Sequence, residues 1–499
     1  MLVRILLAVV CLSGSMAKGQ KEGNNWVLSS GVGLDFNTIP TELFYIASQD
    51  TGMFSAVSDS EGALLAYSNG FNIWNGDGEL VTPEGFVEDI INLSWNTSNY
   101  QSILIVKLES SISILYAKYN VFENDLYLAE LEESGLNIIF QDSLIVGDEE
   151  GYWQQNRLIA IKHGNGRDWW IVNQAYLTTD WPTSDGDAIY FYSYLLAENS
   201  SGHLVINEGD YLSNGYGFEV MGEMISSNNG DYIVKAHGKE LLLYSFDRCA
   251  GQLSLMEVIS DVDMISGFGV AFSPDDSKLY VTTYSSFNGL GLPYSPSSIL
   301  QYCLDCGMDI ASTKDTIYQF PTKNFQFYGM KLGPDGKIYL TAGKIDLGVD
   351  DPLSDYQTHF WVINHPDSLG AACDLDTASI SSGGRDLSSS FPNIPNYQLG
   401  SWRGSPCDTL DDTNPVAELT SLPFKAYPNP VQDYLYIDNP LQTTCQAVVY
   451  NAMGQEVERF DLEQAGQTVS TTSWPTGFYQ LIIQQHNHIV WRQSVVKME

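Results

Sequence analysis

The motif Cys303-Leu304-Asp305-Cys306 places two thiols close enough to act together. Two thiolates at this spacing could form half of a zinc site or a dithiol redox pair. A zinc site needs further ligands, but the sequence has no second Cys-x-x-Cys and no histidine near this motif. No βαβ pattern of a redox domain surrounds it either. We therefore predict a structural disulfide here, with free or metal-bound thiols as the alternative.

A second candidate site is a loop-like stretch containing Trp181, Asp185 and Asp187. An exposed indole can stack on a sugar ring, and carboxylate oxygens can bind Ca²⁺. We interpret Trp181 as a candidate for stacking on a glycan, and Asp185 and Asp187 as candidate ligands of Ca²⁺. A second acidic stretch, from Asp346 to Asp355, offers the same oxygen ligands. Neither stretch has the ligand spacing of the twelve-residue calcium loop, so turn formation and solvation remain the alternative for both.

The sequence contains no recognisable catalytic motif. It lacks G-x-S-x-G, H-E-x-x-H and a P-loop, and its 7 histidines are scattered. Acidic residues are so abundant that no catalytic pair can be singled out. A glycosidase could still take its acid and its base from distant segments. We therefore name no catalytic residue and no cofactor beyond a possible Ca²⁺. A binding or adhesion protein is favoured, and a polysaccharide-degrading glycoside hydrolase or lyase is the alternative.

The charge of the chain restricts its partners. The 499 residues include 23 basic and 61 acidic side chains, a formal net charge of −38. Such a surface repels phosphate backbones, so nucleic-acid binding is disfavoured. The chain is also too long for one ordinary domain, which favours a large body with a smaller appendage.

The first 17 residues have the pattern of a secretory signal peptide. Arg4 precedes a short apolar run from Ile5 to Leu12, and Ser15-Met16-Ala17 supplies the small residues of a cleavage site. No apolar run is long enough for a membrane helix. Six cysteines remain after cleavage, and an even number in an exported chain favours disulfides. Besides Cys303 and Cys306, we expect Cys373 to pair with Cys407, on sequence proximity alone.

From residue 24 to 404 the chain repeats one unit: a turn of Gly, Asp, Asn or Pro, followed by an apolar strand. Each unit predicts a β-hairpin, since these residues favour tight turns and the strand can bury alternate side chains. Copies recur about every 45 to 65 residues when a weaker copy, Ile103 to Tyr119, is counted, and such a period is typical of β-propeller blades. We predict an all-β fold with a propeller of about seven blades, and an array of β-sandwiches is the alternative. The clearest copies begin at Ser58, Gly164, Ser227, Ser273 and Gly333.

Residues 405–424 are rich in Asp, Thr, Pro and Ser and predict a linker. Residues 425–499 then alternate short apolar strands with turns, which predicts a small immunoglobulin-like β-sandwich. Four features follow in order within this segment: a Pro-Asn-Pro start, a Met-Gly turn, a Gly-Phe-Tyr strand and a Val-Lys end. Their residues are Pro428, Asn429, Pro430, Gly454, Gly477, Tyr479 and Lys497.

This C-terminal segment resembles the sorting domain of type IX secretion cargo. The resemblance implies recognition by the type IX secretion machinery. It also implies passage through the periplasm of a Gram-negative bacterium to the outer surface or the medium. The predicted signal peptide agrees with this route. A generic adhesive domain is the alternative.

The body resembles propeller-like ectodomains of large surface proteins from gliding bacteria. The resemblance rests on Asn25-Trp26, on the stretch from Ser58 to Asn75, on Tyr100-Gln101-Ser102 and on the stretch from Ile363 to Cys373. These motifs are turns and core strands, so they imply a fold and not a chemistry. An extracellular glycan or protein ligand is the partner expected for such a domain.

Overall fold

The computed structural model describes residues 20–498, apart from several short segments. The predicted signal peptide, Trp181, Asp185 and Asp187 lie outside the described residues, as do Asp346, Asp350 and Asp351. The segments left out are 29–30, 47–53, 83–100, 120–123, 147–151, 155–156, 178–187, 198–202, 213–221, 238–239, 261–266, 284–295, 323, 345–353, 389, 409–424, 429–430, 440–444, 452–455, 463–465 and 486–487.

The chain divides into two compact units. One spans Gln20–Asp411, and the other contains Asp412–Glu499. Both are built from antiparallel strands, so the predicted all-β class is confirmed. The described helical elements are short, as in α1 (Asp355–Thr358) and the 3₁₀ turns Ile310–Thr313 and Gly370–Cys373.

The described residues of the first unit form seven sheets in chain order. Sheet 1 contains β1 (Asn25–Leu28), β2 (Val32–Asp35) and β3 (Glu42–Tyr45). Sheet 2 contains β4 (Ser55–Ser58), β5 (Leu64–Ser68) and β6 (Ile73–Asn75). Sheet 3 contains β7 (Ile103–Lys107), β8 (Ser111–Tyr119), β9 (Asn124–Glu132) and β10 (Ile138–Val146). Sheet 4 contains β11 (Tyr152–Gln154), β12 (Ile159–Lys162), β13 (Trp169–Leu177), β14 (Ala188–Leu196) and β15 (His203–Leu212).

The remaining three sheets of this unit have four strands each. Sheet 5 contains β16 (Met224–Ser226), β17 (Tyr232–His237), β18 (Glu240–Asp247) and β19 (Gln252–Ser260). Sheet 6 contains β20 (Gly267–Phe272), β21 (Lys278–Thr283), β22 (Ser298–Cys303) and β23 (Asp315–Gln319). Sheet 7 contains β24 (Phe325–Leu332), β25 (Ile338–Lys344), β26 (His359–Ile363) and β27 (Leu375–Ser381). In sheet 4, β11 and β12 both pair with β13, as two pieces of one edge.

The repeated turn-strand unit forms the first hairpin of a sheet in all five clear copies. In sheet 6 the turn is closed by a hydrogen bond from Ser273 N to Lys278 O at 2.9 Å. The corresponding bond in sheet 7 runs from Gly333 N to Lys337 O at 2.7 Å. The fourth turn residue is left-handed in both sheets, Asp276 with φ 58° and Gly336 with φ 77°. Asp and Gly tolerate this conformation, which explains why they alternate at the position.

The seven sheets form a closed ring. The first strands of consecutive sheets adjoin one another in the order β1, β4, β7, β12, β16, β20 and β24. Sheet 7 then packs against sheet 1, where Tyr339 contacts Trp26 and Phe36 at ring-centroid distances of 5.7 and 5.3 Å. Nearby, Arg385 Nη1 donates a hydrogen bond to Gly31 O at 3.2 Å. The first unit is therefore propeller-like.

The second unit contains two antiparallel sheets. One has the order β28 (Lys425–Tyr427), β29 (Tyr434–Asp438), β32 (Gln467–Ser470). The other has the order β31 (Glu456–Leu462), β30 (Cys445–Asn451), β33 (Gly477–Gln485), β34 (His488–Lys497). Both sheets contribute to one buried core, which includes Leu435, Val449 and Leu481.

Candidate functional site

A short stretch near the end of the first unit, residues 390–400, reaches the centre of the ring. We call it the axial segment. Phe391 packs on Trp26 of sheet 1 at a centroid distance of 5.4 Å. Tyr397 packs on Trp169 of sheet 4 at 5.2 Å. Asn396 Nδ2 donates to Asn228 O, at the first turn of sheet 5, at 3.1 Å. A segment this short can contact sheets on all sides of a closed ring only if it lies on the axis.

Asn393 makes the largest number of these connections. Its backbone N donates to Phe54 O, beside β4, at 2.8 Å. Its side-chain Nδ2 donates to Ile103 O of β7 at 3.1 Å and to Leu158 O, just before β12, at 2.8 Å. Ser55 Oγ donates to Asn393 O at 2.6 Å. This one buried residue thus joins sheet 2 through its backbone and sheets 3 and 4 through its amide side chain.

Where the chain leaves the ring, a disulfide joins Cys407 to Cys249, in the turn between β18 and β19 of sheet 5. Arg248 supports this exit, since its Nη2 donates to Gly400 O at 2.5 Å and its Nε donates to Lys162 O at 2.8 Å. The expected pairing of Cys373 with Cys407 is therefore wrong: Cys373 is a buried free thiol. The exit of the axial segment places Cys407 beside sheet 5, whereas Cys373 belongs to sheet 7.

Beside the axial segment lies a group of charged residues from different sheets, which we call the axial ion cluster: Arg157, Glu223, Lys235 and Lys331. Arg157 Nε donates to Gly222 O at 2.7 Å, and Lys235 Nζ donates to the same oxygen at 3.4 Å. Lys331 Nζ donates to Ile394 O of the axial segment at 3.2 Å. Arg157 and Lys235 are buried, and burying a charge is costly unless it is bonded.

Glu223 crosses from sheet 5 towards sheets 6 and 7. Val270 N donates to its Oε2 at 3.4 Å, and a Cβ added at Gly329 would lie 3.5 Å from its Oε1. The closer neighbour of Gly329 is the axial segment, since the same Cβ would lie 3.1 Å from Ser390 Cα. Gln101 adds a link between sheets 3 and 5, because its side chain donates to Met224 O at 2.7 Å and accepts from Met224 N at 2.9 Å.

Burial shifts the protonation equilibria of the cluster. Desolvation raises the pKa of Glu223 to about 7, although the charges of Lys331 and Arg157 oppose the shift. Desolvation lowers the pKa of Lys331 to about 8, against the attraction of Glu223. The pKa of Lys235 is also lowered, by burial and by the nearby Arg157 charge. Chemically, the cluster combines one carboxylate with three basic side chains, and burial disfavours the charged forms of Glu223, Lys235 and Lys331.

The stability of the protein should therefore depend on pH through Glu223. Its pKa in the folded state lies above that of the unfolded chain, so its stabilising contribution is complete below about pH 4.5 and is lost as the pH rises through about 7. In Glu223→Gln we expect the loss of unfolding free energy between pH 5 and pH 8 to shrink, measured by denaturant unfolding at each pH. Glu109→Gln, at an exposed position, is the matched control. An unchanged pH profile in Glu223→Gln would contradict the assignment.

Carboxylates outside the axis join neighbouring turns. Asp276 accepts hydrogen bonds from Asn228 N at 2.8 Å and from Asn229 N at 3.0 Å, which ties the turn of sheet 6 to that of sheet 5. Asp275 N donates to Asp367 Oδ1 at 3.1 Å, which ties it to sheet 7. Burial raises the pKa of Asp276 to about 7, with these hydrogen bonds opposing it. These acids have a structural explanation as turn-to-turn connections.

The structure joins Cys303 to Cys306 in a disulfide. The two sulfurs and an oxygen of Asp305 lie within 4.8 Å of one another, a ligand-like arrangement, but the sulfurs are bonded to each other. Among the acidic residues considered as Ca²⁺ ligands, the structure describes Asp355, which begins α1. Calcium at the other acids stays a prediction.

In the second unit the described residues of the sorting motif lie at strand ends. Pro428 follows β28 after a cis peptide bond, and Gly477 begins β33. Tyr479 is buried against Trp474, and its hydroxyl donates to Pro475 O at 2.6 Å. Lys497 ends β34 and bridges to Val431. Asn429, Pro430 and Gly454 lie outside the described residues.

Comparison with known families bears on this second unit. Residues 425–497 match the model of the secretion system C-terminal sorting domain. These residues are a type IX secretion sorting domain. The sorting domain shows that the protein is secreted to the cell surface or the extracellular space. In the described residues, no helix is long and apolar enough to cross a membrane.

Similarity to other proteins is otherwise distant. No curated protein sequence matches the chain. A solved protein of unknown function from Dyadobacter fermentans is 14% identical, with 56% of this chain and 81% of the other aligned and a TM-score of 0.34. A luciferin-regenerating enzyme is 10% identical, at 68% and 89% coverage and a TM-score of 0.31. A glycosyl hydrolase from Bacteroides ovatus is 11% identical, at 49% and 81% coverage and a TM-score of 0.27.

Sequence reasoning did not find the axial residues. Gln101 was noted as part of a fold motif, and Arg157, Glu223, Lys331 and Asn393 were not singled out. They come from different sheets, so no local spacing connects them. A charged residue within an otherwise apolar strand is a signal that the sequence does contain. Lys235 in the strand Tyr232–His237 is an example.

Proposed function

We propose that the first unit is a seven-bladed propeller that binds an extracellular ligand without converting it. The protein would be exported with its N-terminal 17 residues as signal peptide, cross the periplasm and pass through the type IX machinery by its sorting domain. That domain we take to be immunoglobulin-like. A glycan or protein at the bacterial surface is the ligand class, which makes adhesion the role.

This proposal rests on one observation: residues 390–400 of the chain itself occupy the axis of the ring. A propeller enzyme would gather its reacting groups near that axis, and a glycosidase needs two carboxyl groups on either side of the scissile bond. Here the axis holds Asn393, which is hydrogen-bonded to three sheets through its backbone and its side-chain amide. The neighbouring ion cluster combines a single carboxylate with Arg157, Lys235 and Lys331. This composition suits a buried electrostatic connection between sheets better than acid–base cleavage of a glycan.

The test is to screen the purified full-length protein on a glycan array and to incubate it with the polysaccharides that it retains. We expect retention without any change in polymer length or reducing-end content. Cleavage of a retained polysaccharide would overturn the proposal in favour of the glycosidase or lyase alternative. If cleavage is seen, its loss in Glu223→Gln would place that activity on the axis.

A further inference from the structure

The Cys303–Cys306 disulfide lies at the end of β22, in the turn that leads towards β23. Its two sulfurs differ in environment, since Cys303 is 2% exposed whereas Cys306 is exposed. A dissolved thiol can therefore approach Cys306, while Cys303 is shielded by the strand. Disulfide exchange requires such access to the attacked sulfur.

The turn that carries this disulfide is also held by other bonds. Cys303 N donates to Thr313 Oγ1 at 2.9 Å, and Leu304 N donates to Ser277 O at 2.9 Å. Asp305 forms an ion pair with Lys278 at 3.3 Å. Opening the disulfide would leave these connections in place. A bridge across a sequence separation of 3 residues also restricts the unfolded chain little.

The second disulfide of the protein has the opposite properties. Cys249–Cys407 spans a sequence separation of 158 residues and fixes the exit of the axial segment. Closing so long a loop removes much more entropy from the unfolded chain. It has a structural role that Cys303–Cys306 lacks, and it provides an internal control.

The surroundings of Cys303 suit a sulfur that takes up a proton as it leaves. Its Sγ lies 3.1 Å from Asp305 Oδ1, and the same oxygen is 3.3 Å from Lys278 Nζ. The carboxylate is the charge nearest to this sulfur and disfavours a thiolate there, while the Lys278 ion pair offsets part of its negative charge. Once protonated, the Cys303 thiol can donate its S–H to the Asp305 carboxylate. The turn thus accommodates both the oxidised and the reduced pair.

We propose that Cys303–Cys306 is a reversible thiol-exchange site for small-molecule thiols. A thiolate attacks Cys306 Sγ, the Cys303–Cys306 bond breaks, and its electron pair leaves on Cys303, which takes up a proton. A second thiolate attacks the external sulfur of the mixed disulfide and releases Cys306 as a thiolate, which is then protonated. In sum, one protein disulfide and two thiols give one protein dithiol and one external disulfide.

The test exposes native full-length protein to increasing concentrations of reduced glutathione, followed by acid quenching, alkylation and peptide mass spectrometry. We expect Cys303 and Cys306 to become alkylated at thiol concentrations at least tenfold lower than Cys249 and Cys407. The thermal unfolding midpoint should not change while only the first pair is open. If both disulfides open together, or if Cys303–Cys306 opens only when the protein unfolds, the proposal is wrong.

Two variants test the roles of the individual groups. In Cys303→Ser, Cys306 should form a mixed disulfide with oxidised glutathione at one per chain, and no adduct would overturn the assignment of Cys306 as the attacked sulfur. Lys278→Met should slow reduction of the pair at least threefold and alter its pH profile. Lys337→Met, on sheet 7, is the control. Unchanged kinetics in a folded Lys278→Met protein would exclude the positioning role of Lys278.

Discussion

Deletion of Tyr427–Glu499 is expected to leave the protein in the periplasm. The deletion removes β29 to β34, with the buried core of the sorting domain, including Leu435, Val449 and Leu481. Without this unit the secretion machinery has nothing to recognise, so we expect at least a tenfold fall in protein at the cell surface and in the medium. Fractionation followed by immunoblotting of periplasm, outer membrane and medium provides the measurement.

The matched control attaches residues 412–499 to an unrelated periplasmic protein. This fusion should leave the periplasm, because the sorting domain is a compact unit separate from Gln20–Asp411. Normal surface or medium levels of the deleted form would refute the role of the tail. Retention of the fusion would show that the tail alone is not sufficient for export.

The second large effect is expected from Asn393→Ala in the axial segment. The substitution leaves the carbonyls of Ile103 and Leu158 without the donor that they share, in a fully enclosed position. An unmet buried hydrogen-bonding group costs about 1–3 kcal/mol, so two such carbonyls should lower the unfolding free energy by about 2–6 kcal/mol. Denaturant unfolding of the full-length protein measures this loss.

Gln398→Ala is the control for Asn393→Ala, because Gln398 lies in the same segment with an exposed side chain. Exposed substitutions of this kind usually change stability by no more than about 0.5 kcal/mol. Equal effects of the two substitutions would contradict the assignment of the Asn393 side chain as the group that joins sheets 3 and 4.

Local signals predicted the hairpins well. In a stretch such as Gly333-Pro334-Asp335-Gly336, the residue types themselves favour the backbone angles of a tight turn. The hairpin therefore follows from local sequence, without contacts to distant residues. The tail was recognised for a similar reason, since its turn and strand motifs follow in order within one segment. These features depend on neighbours in the sequence, and the sequence shows them directly.

The centre of the ring depends on closure of the whole unit. Asn393 lies in a stretch rich in proline and asparagine, a composition typical of surface loops. In the structure, however, the ring encloses this residue. Cys407 was matched to Cys373 because the two are near in sequence, but the axial segment carries Cys407 to Cys249 instead. Glu223 likewise accepts a hydrogen bond from Val270 on another sheet. Such contacts have no fixed spacing along the chain.

Occupation of the axis is tested most directly by amide hydrogen exchange across residues 390–400. The Asn393 amide is buried and bonded to Phe54 O at 2.8 Å, so its exchange should require opening of the ring. We predict protection as strong as that of the core strands β7 and β12. Exchange within seconds, at the rate of an exposed loop, would show that the segment does not fill the axis and would remove the main support for a binding propeller.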